Sequence, residues 1–505
     1  MRGCTKIVLS SLLAFASLLA NNYADEVKPN VLFIAIDDLK PILGCYGNDI
    51  VKSPHIDSIA EKGTVFLNNH CQWPVCAPSR TSLLTGLMPE ETGVEGFKAM
   101  RGILRDVVTL PEHFKNNGYV TAATGKINDP RSVGTLNKKD PTSRTKDGRT
   151  KDDIRSWSLP YVPVSSGWKA SGKRASAAPD VADAKFKDGM VCKEGISLIK
   201  KLAKNDKPFF VGVGFYKPHV PWFSPKKYWD LYDREKFKVE EFQELPRGGS
   251  SSLFLNISEV HNRVDTLKSR KDPKSNNKIY PILPKDKQLE LIHSYYACIS
   301  FVDAQIGKLL GALEESGESE NTIVILWGDH GYHLGDHGKW AKHSVMEQAT
   351  RSPLIIYSPH IQHKGNSSSS PTAFLDIYPT LCELAGLSLP SQPLNQKEKS
   401  GRNIKGVSLV PIIKGAKERV RGGVLTTRRD CYAIRTDRYR YIETINEGVI
   451  VHKDLYDYKN DPQERVNLIN EIEYKEVAKK LALEMRNLPE SSGCQRLLRA
   501  KENLD

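Results

Sequence analysis

The chain has 505 residues and a formal net charge of +13, with 39% hydrophobic and 26% charged residues. This composition is typical of folded globular proteins with a large core, and it excludes disordered and low-complexity chains. The positive charge favours a polyanionic partner: nucleic acid and sulfated polysaccharide fit it equally well, but the sequence contains no recognisable nucleic-acid-binding module.

The first 24 residues have the pattern of an export signal. Arg2 and Lys6 precede an apolar run that ends at Ala20, and Ala24 offers a cleavage site. That run is too short to span a membrane comfortably, and no later segment is long and apolar enough to do so. We therefore expect a signal peptide over 1–24 and a secreted or periplasmic protein with no membrane span.

The first strand that the sequence predicts in the mature chain ends in two acidic residues. Residues 31–36 form a continuous apolar run, as expected for a strand buried on both faces of a parallel sheet. Asp37 and Asp38 follow at its carboxyl end, where ligands bind in open α/β sheets. Paired carboxylates there favour Ca²⁺ or Mg²⁺ over a thiophilic metal. The alternative is a solvent-facing pair that caps the next turn.

The stretch from Cys76 to Gly86 is predicted to form a short helix. Pro78 suits its first position and Gly86 can end it, so Cys76 would lie just before the helix N-terminus, where free N–H groups favour an anion. Arg80 is one turn further on and can lean toward the same place. This pairing suits sulfate or phosphate chemistry. The alternative is a buried cysteine beside a solvated arginine.

Two later strands also lead into polar side chains. Residues 119–124 are predicted to be a strand that ends at Gly125 and Lys126. Residues 209–213 form another, which leads into a Lys-Pro-His sequence ending at His219. Taken alone, each of these two side chains is more commonly an ordinary solvated or loop residue.

A fourth buried strand is predicted over 322–327, after a long helix over 285–316. Asp329 and His330 follow this strand, and a run of His, Asp and Lys residues continues to Lys342. Such a cluster could indicate zinc, although the aspartate pair after the first strand offers oxygen ligands only.

The rest of the chain divides into insertions and a smaller C-terminal region. The polar stretches 131–180 and 240–284 are predicted to be insertions rather than domains, and the second to be part of a substrate rim. After residue 414 alternating hairpin strands appear, and a helix over 471–487 follows them. We therefore predict a catalytic domain over 25–413 and a C-terminal subdomain over 414–505.

The nine cysteines do not form a recognisable framework of disulfides. They are widely spaced and include no Cys-x-x-Cys pair that would indicate a structural zinc site. Their positions are Cys4, Cys45, Cys71, Cys76, Cys192, Cys298, Cys382, Cys431 and Cys494.

The sequence from Cys76 to Arg80, Cys-Ala-Pro-Ser-Arg, resembles the Cys-x-Pro-x-Arg signature of the type I, formylglycine-dependent sulfatases. The Asp pair after the first strand, the Lys-Pro-His sequence and the segment 327–342 are most similar to the iduronate-2-sulfatase branch of that family. The resemblance covers about residues 28–470. It implies an α/β, alkaline-phosphatase-like sandwich with a large mixed sheet and a small C-terminal α+β domain with an antiparallel sheet.

The resemblance also implies a mechanism and its residues. Cys76 would be converted to formylglycine, the nucleophile, by a formylglycine-generating or sulfatase-maturing enzyme, and one Ca²⁺ per chain would be bound. The implied metal ligands are Asp37, Asp38, Asp329, His330 and the modified residue 76. The implied catalytic residues are Cys76 itself, Arg80, Lys126 and Lys342, which spread charge on the sulfuryl group, and His219, which gives a proton to the departing sugar hydroxyl.

One position departs from the family pattern. Sulfatases commonly place a histidine two or three residues after the lysine that corresponds to Lys126, whereas this chain has Asn128 and Asp129. That histidine would expel sulfate from the covalent intermediate, so either Asp129 or a residue from elsewhere must act as the base.

The predicted function is hydrolysis of sulfate esters in a sulfated, uronate-containing polysaccharide or oligosaccharide such as a glycosaminoglycan. The alternatives are a phosphoester or phosphonate hydrolase of the same superfamily and an inactive glycan-binding homologue. Much of the basic excess lies in 131–180 and 263–278, which could rim the pocket or could simply be solvated.

Overall fold

The structure is a computed structural model, and it describes residues 28–133, 152–250, 253, 259–264, 270–271, 278–279, 281–361, 365–392 and 402–502. The predicted signal peptide and most of the basic excess of the two insertions lie outside these residues. No helix among the described residues is long and apolar enough to cross a membrane. The eight cysteines in these ranges are all free thiols.

The main domain is built on a seven-stranded mixed sheet in the order β11-β2-β10-β9-β1-β5-β3. The strands within the described residues are β1 (Asn30–Asp37), β2 (Thr64–His70), β3 (Val120–Gly125), β4 (Ser176–Ala177), β5 (Phe209–Pro218), β6 (Trp222–Phe223), β7 (Arg270–Lys271), β8 (Lys278–Ile279), β9 (Thr322–Gly328), β10 (Leu354–Tyr357), β11 (Asn366–Ala373), β12 (Val424–Arg428), β13 (Cys431–Arg435), β14 (Tyr439–Asn446), β15 (Val449–Asp457) and β16 (Lys501–Glu502).

Helices cover both faces of this sheet. They are α1 (Pro54–Lys62), α2 (Cys76–Thr85), α3 (Pro89–Thr92), α4 (Met100–Ile103), α5 (Leu110–Asn116), α6 (Lys187–Leu202), α7 (Lys226–Trp229), α8 (Lys285–Glu315), α9 (Glu347–Thr350), α10 (Ile377–Leu384), α11 (Val410–Ile413), α12 (Lys475–Asn487) and α13 (Gln495–Arg499). Successive side chains of a strand point to opposite faces. In β1, Leu32 and Ile34 therefore join the core with α1, α6 and α8, whereas Val31 and Phe33 join the core with α2, α5 and α10.

The C-terminal region forms its own sheet. Strands β12 to β15 are antiparallel neighbours in sequence order, and the short β16 adds to β15 in parallel. Leu481 and Met485 of α12 pack on Tyr432 and Tyr441 of this sheet. The predicted boundary at 413/414 falls between α11, which packs in the large core, and β12. The division into domains stays a prediction.

The four buried strands predicted from apolar runs are confirmed, and one local prediction needs correction. Cys76 is the first residue of α2 rather than the residue before it, so Pro78 is the third helical residue. The stretch 131–180 also contributes to the core, because Trp157 and Tyr161 are buried against the α2–α5–α10 face of the sheet. The burial of two large aromatic side chains is favourable enough to outweigh the cost of ordering their polar neighbours. The average polarity of the stretch does not reveal these two residues.

Candidate active site

The site is built at the carboxyl edge of the main sheet. Strands β1, β3, β5 and β9 are parallel and lie side by side, with β1 between β9 and β5. They end at the same level, because Ile36 of β1 pairs with Gly328 of β9 and with Phe215 of β5. The side chains that follow each strand therefore meet at one place, as expected for open α/β sheets.

Cys76 lies at the N-terminus of α2, fully buried beside this edge. Its Sγ is 3.4 Å from Nε2 of His330 and 3.8 Å from Oδ1 of Asp38. Burial, with the nearby carboxylate of Asp37, raises the pKa of the Cys76 thiol well above its ordinary value. The unmodified side chain is therefore a protonated thiol.

Three carboxylates and one imidazole surround this sulfur. Asp329 accepts a hydrogen bond from the backbone N–H of Asp38 at 2.9 Å, which ties the ends of β1 and β9 together. His330 uses Nδ1 to donate to the carbonyl of Gly331 at 2.8 Å, which turns its Nε2 toward the carboxylates. That nitrogen lies 3.3 Å from Asp38 and 3.6 Å from Asp329. The arrangement presents a ring nitrogen and carboxylate oxygens to one point.

Arg80, one turn along α2, is fully buried and braces the carboxylates from behind. Its Nε donates to Asp329 at 2.8 Å and its Nη2 to Asp37 at 3.2 Å, while Nη1 donates to the carbonyls of Lys126 and Ile127. Four of its five N–H groups are therefore directed to the protein. The sequence resemblance implies contact with a sulfuryl group, whereas this geometry gives Arg80 the position of a support for Asp37 and Asp329.

Two lysines flank the carboxylates on either side. Lys126 Nζ lies 2.8 and 2.7 Å from the two carboxylate oxygens of Asp37. Lys342 Nζ lies 2.9 Å from both oxygens of Asp38 and 3.0 Å from Glu259. Burial alone would raise the pKa of Asp37, but Lys126, with His219 and Arg80, holds it well below its usual range. Asp37 is therefore an anion at neutral pH.

His219 approaches the same centre from the loop after β5. Its Nδ1 donates to the carbonyl of Val220 at 2.6 Å, and its Nε2 lies 3.9 Å from Asp38. A ligand atom of His219 lies within 4.8 Å of Cys76, Asp37 and Asp38. The side chain keeps 27% of its surface exposed, so it is the part of the cluster that an entering molecule can reach.

The donor set fits a hard divalent cation. Two groups of ligating atoms overlap at Cys76, one with Asp37, Asp38 and His219 and one with Asp329 and His330. The carboxylates within this cluster and next to it outnumber the buried lysine and arginine charges, and a buried excess of negative charge is unfavourable unless a cation offsets it. Carboxylate oxygens favour Ca²⁺ or Mg²⁺, and a single imidazole is compatible with either.

The second His and Asp cluster, after β9, has a different character. His333 contacts Asp336 through Nδ1 and Ser344 through Nε2 at 2.6 Å, so both ring nitrogens are occupied. His337 lies 3.5 Å from the same carboxylate. These buried contacts hold the loop that carries Lys342 in place. Both ring nitrogens of His333 already have hydrogen-bond partners, so neither is open to zinc as the zinc alternative requires.

A cavity of about 640 Å³ opens onto the cluster. Asp37, Lys126 and His219 form its inner end. One wall is aromatic, and basic side chains contribute to the rim. The aromatic residues are Trp168, Phe186, Tyr216 and Phe223, and the rim cations include Arg131, Lys169, Arg174, Lys187 and Arg263. Apolar walls with a few convergent polar groups are typical of small-molecule sites.

Some residues of the site carry no sequence signal. Glu259, in the second polar insertion, contacts Lys342 and lies 3.6 Å from His343. Only the tertiary fold brings this carboxylate to the site. Asn128 faces away from the centre, because its side-chain amide donates to Asp152 at 2.8 Å. It is therefore not placed to act as the missing base.

Comparison with known protein families gives two matches. The family described as Sulfatase matches residues 29–387, and the family described as N-sulphoglucosamine sulphohydrolase, C-terminal, matches residues 335–491. The first covers the main sheet and nearly all of the cluster described above.

Individual relatives agree with these matches. A sulfatase of Formosa agariphila is 31% identical over 487 residues, covering 89% of this chain and 84% of the relative. Human iduronate 2-sulfatase is 34% identical over 415 residues, covering 78% and 70%. A solved structure of a protein in complex with its substrate D-glucosamine-2-N,6-O-disulfate superposes with a TM-score of 0.69 at 22% identity, covering 93% and 98%. The last comparison establishes the fold.

Proposed function

The chain belongs to the sulfatase family and is a sulfuric ester hydrolase with an alkaline-phosphatase-like fold, and we propose that its substrate is a sulfated, uronate-containing or otherwise polyanionic oligosaccharide. The observation that carries this proposal is the meeting of Cys76, three carboxylates and His330 directly behind the inner end of a cavity with an aromatic wall and a basic rim, where Asp37 lines the cavity itself. Aromatic faces suit sugar rings, and the cations suit their anionic substituents.

We propose that one Ca²⁺ is held by Asp37, Asp38, Asp329, His330 and residue 76. The carboxylate-rich donor set and the orientation of His330 Nε2 toward it support this assignment. When bound, the ion would supply positive charge to the oxygens of the sulfate ester. Arg80 keeps Asp37 and Asp329 in place for it.

We also propose that Cys76 is converted to formylglycine, which requires a maturation enzyme as a partner. The Cys-Ala-Pro-Ser-Arg sequence and the position of residue 76 at the centre of the cluster support this. The hydrate of that aldehyde supplies the oxygen nucleophile when present.

The remaining steps fall to the chain's own side chains. The ammonium groups of Lys126 and Lys342 lie beside the two aspartates of β1 and can bind oxygens of the ester group from either side. His219 donates from Nδ1 to a backbone carbonyl, so in its imidazolium form the proton on Nε2 can pass to the sugar oxygen as that oxygen leaves sulfur, and the ring becomes neutral. The exposed edge of this ring faces the cavity through which a sugar would enter.

We further propose export of the protein, to the periplasm or the medium, where polysaccharide fragments would be encountered. The basic, apolar and small-residue pattern of 1–24 supports this.

Sulfate release tests the proposal. Protein produced with a maturation system should hydrolyse an aryl sulfate, and Cys76→Ala should lower kcat by at least about 10³-fold because the nucleophile is lost. Cys45→Ala is the matched control, since that thiol lies in another loop and is partly exposed. Hydrolysis of aryl phosphate or phosphonate esters in preference to sulfate would favour the other branch of the superfamily, and binding of sulfated oligosaccharides without turnover would favour an inactive homologue.

A desulfation screen over defined oligosaccharides tests the substrate class. We expect turnover of sulfated, uronate-containing or multiply sulfated sugars. Turnover restricted to neutral, singly sulfated sugars would contradict this part of the proposal.

A further inference from the structure

The segment after β3 carries a charged pair that the proposed chemistry leaves without a role. Asp129 is buried, and it accepts hydrogen bonds from Nε and Nη2 of Arg131 at 2.9 and 2.8 Å and from the Arg131 backbone N–H at 2.9 Å. Lys126 lies 3.3 Å from the same carboxylate. The pair therefore connects a lysine of the catalytic cluster with an arginine of the cavity wall.

Asp129 is poorly suited to remove a proton. Burial alone would raise its pKa, but the hydrogen bonds and charge of Arg131, together with Lys126, hold it well below its usual range. A carboxylate so strongly stabilised as an anion is a weak base. Its geometry instead suits it to hold Arg131 in one orientation, since a bidentate contact fixes the plane of a guanidinium.

Arg131 is held from a second direction and still reaches the cavity. Its guanidinium carbon lies 3.6 Å from the centre of the Phe97 ring, a stacked cation–π contact. The side chain keeps 54% of its surface exposed and lines the cavity together with Lys126 and His219. Nη1 makes no hydrogen bond to any residue that the structure describes. The guanidinium of Arg131 is thus held in place, and its Nη1 can still donate a hydrogen bond to a ligand.

The distance from this cation to the catalytic cluster suits one sugar. Arg131 Nη2 and Lys126 Nζ both contact Oδ2 of Asp129, at 2.8 and 3.3 Å, so they lie no more than about 6.1 Å apart. This upper limit is no larger than the span of one sugar residue with its substituents. An anionic substituent on the sugar that carries the scissile sulfate, or on its neighbour, would fall within reach of Arg131.

We propose that Arg131, held by Asp129 and Phe97, is a specificity-determining residue that binds a second anionic substituent of the substrate, a carboxylate or a second sulfate. This inference rests on the proposed function, because it needs a sulfated sugar in the cavity. Asp129 is a positioning residue in it. A fixed guanidinium loses little conformational freedom on binding, so its contact with an anion contributes strongly to affinity.

The test uses three synthetic sugars with the same scissile sulfate. One carries a neutral hydroxymethyl group at the second position, one a carboxylate and one a second sulfate. For the unaltered enzyme, kcat/KM should be about 10- to 100-fold higher for an anionic sugar than for the neutral one, as expected for a hydrogen-bonded charge pair. The carboxylate and sulfate arms identify which anion the residue binds.

Arg131→Gln should remove most of this preference, and Arg131→Lys should restore part of it. Asp129→Asn should weaken the preference through a higher KM for the anionic sugars. Arg419→Gln is the matched control, because Arg419 is similarly exposed at 48% and pairs with Asp437 in the C-terminal region. Thermal midpoints of all variants separate misfolding from lost recognition.

The outcomes separate this inference from the proposed function. If the unaltered enzyme hydrolyses none of the sulfated sugars, the proposed function fails. If it hydrolyses them and Arg131→Gln keeps the full preference for anionic sugars, the assignment of Arg131 is wrong. If Asp129→Asn loses activity equally on all three sugars while its KM values are unchanged, Asp129 acts in the chemistry and its positioning role is wrong.

Discussion

At the scale of single residues, Arg80 shows how one buried side chain shapes the site. It joins the carboxylates at the ends of β1 and β9 to the carbonyls after β3, and it has no exposed surface. Removing the guanidinium would take one hydrogen-bond donor from Asp37 and one from Asp329, and would leave Asp37 held by Lys126 and Asp329 by the backbone of Asp38. Replacement of Arg80 should therefore weaken the binding of a metal ion as well as lower the stability of the fold.

We expect Arg80→Lys to lower the affinity for Ca²⁺ by about 10- to 100-fold, because the single nitrogen of a lysine cannot reproduce the separate Nε and Nη2 contacts to Asp329 and Asp37. Calorimetric titration of the metal-free protein with Ca²⁺ measures this. Arg438→Lys, on an exposed bidentate pair with Asp457, is the control. An unchanged affinity for Ca²⁺ in the Arg80 variant would contradict the supporting role.

A second residue, Asp303, makes the stability of the fold depend on pH. Asp303 on α8 accepts the backbone N–H of Ile56 near the start of α1 at 2.8 Å, and burial raises the pKa of its carboxyl from 3.8 to about 7. The folded protein keeps this proton until near pH 7, whereas the unfolded chain loses it near pH 4. This group's contribution to stability is therefore full below pH 4 and decreases as the pH rises to about 7.

Asp303→Asn keeps an acceptor for Ile56 but cannot ionise. The stability of the unaltered protein relative to this variant should fall by about 2 kcal/mol between pH 5 and pH 8. Thermal or urea unfolding of both proteins at the two pH values checks this. A stability difference that is the same at both values would show that Asp303 does not titrate as proposed.

At the scale of elements, the C-terminal sheet reaches the active-site loops through Arg440 of β14. This buried guanidinium donates to the carbonyl of Val345, to Glu347 at 2.7 Å and to the hydroxyl of Tyr458 at 2.7 Å. Val345 follows closely after Lys342, so the sheet fixes the segment that carries a proposed catalytic lysine. Buried networks of this kind are costly to break when one partner is removed.

Arg440→Gln should lower the free energy of unfolding by about 3–5 kcal/mol and reduce sulfate release, because Glu347 and Glu464 each lose a charged contact inside the protein. Among the described residues, only Arg435 still pairs with Glu347. Arg438→Gln, at the residue just before the same strand and 42% exposed, should change stability far less. Arg440→Lys serves if the glutamine variant does not fold. Equal thermal midpoints for the Arg440 and Arg438 variants would refute the link between the sheet and the loop.

The strands and the residues that follow them show which features of the site can be predicted from the sequence alone. Runs of apolar residues mark β1, β3, β5 and β9, and polar residues directly after a strand must lie at one sheet edge, so most of the cluster follows from local patterns. The contacts that support the cluster cannot be predicted from local patterns. Glu259 meets Lys342 only through the fold of an insertion, and no spacing rule connects residues so far apart in sequence.

The Asp129–Arg131 pair illustrates the same limit at short range. The sequence shows an aspartate where a histidine is common, which suggests a replacement base. The structure shows an ion pair that lowers the basicity of that carboxylate and directs an arginine to the cavity. A residue type alone does not give its pKa, because neighbours in space decide whether the charged form is favoured.

For the whole molecule, the net charge of +13 suggests that contacts with the substrate extend beyond the scissile sulfate to the rim of the cavity. If the rim cations meet flanking anionic groups, kcat/KM for a sulfated oligosaccharide should fall at least several-fold as salt rises from about 0.01 to 0.15 M, where the screening length shrinks from about 30 to 8 Å. Initial rates on a small aryl sulfate should change much less. Equal salt dependence would restrict recognition to the inner end of the cavity.

Residue 76, which α2 places among the carboxylates of β1 and β9, is the proposed nucleophile of this sulfuric ester hydrolase in its formylglycine form. Mass spectrometry of the peptide that contains residue 76, taken from protein with measured sulfatase activity, tests this proposal most directly. We predict a peptide that has lost one sulfur and two hydrogens and gained one oxygen, in a fraction that rises with specific activity across preparations. A fully active preparation in which residue 76 is an intact cysteine thiol would contradict the account.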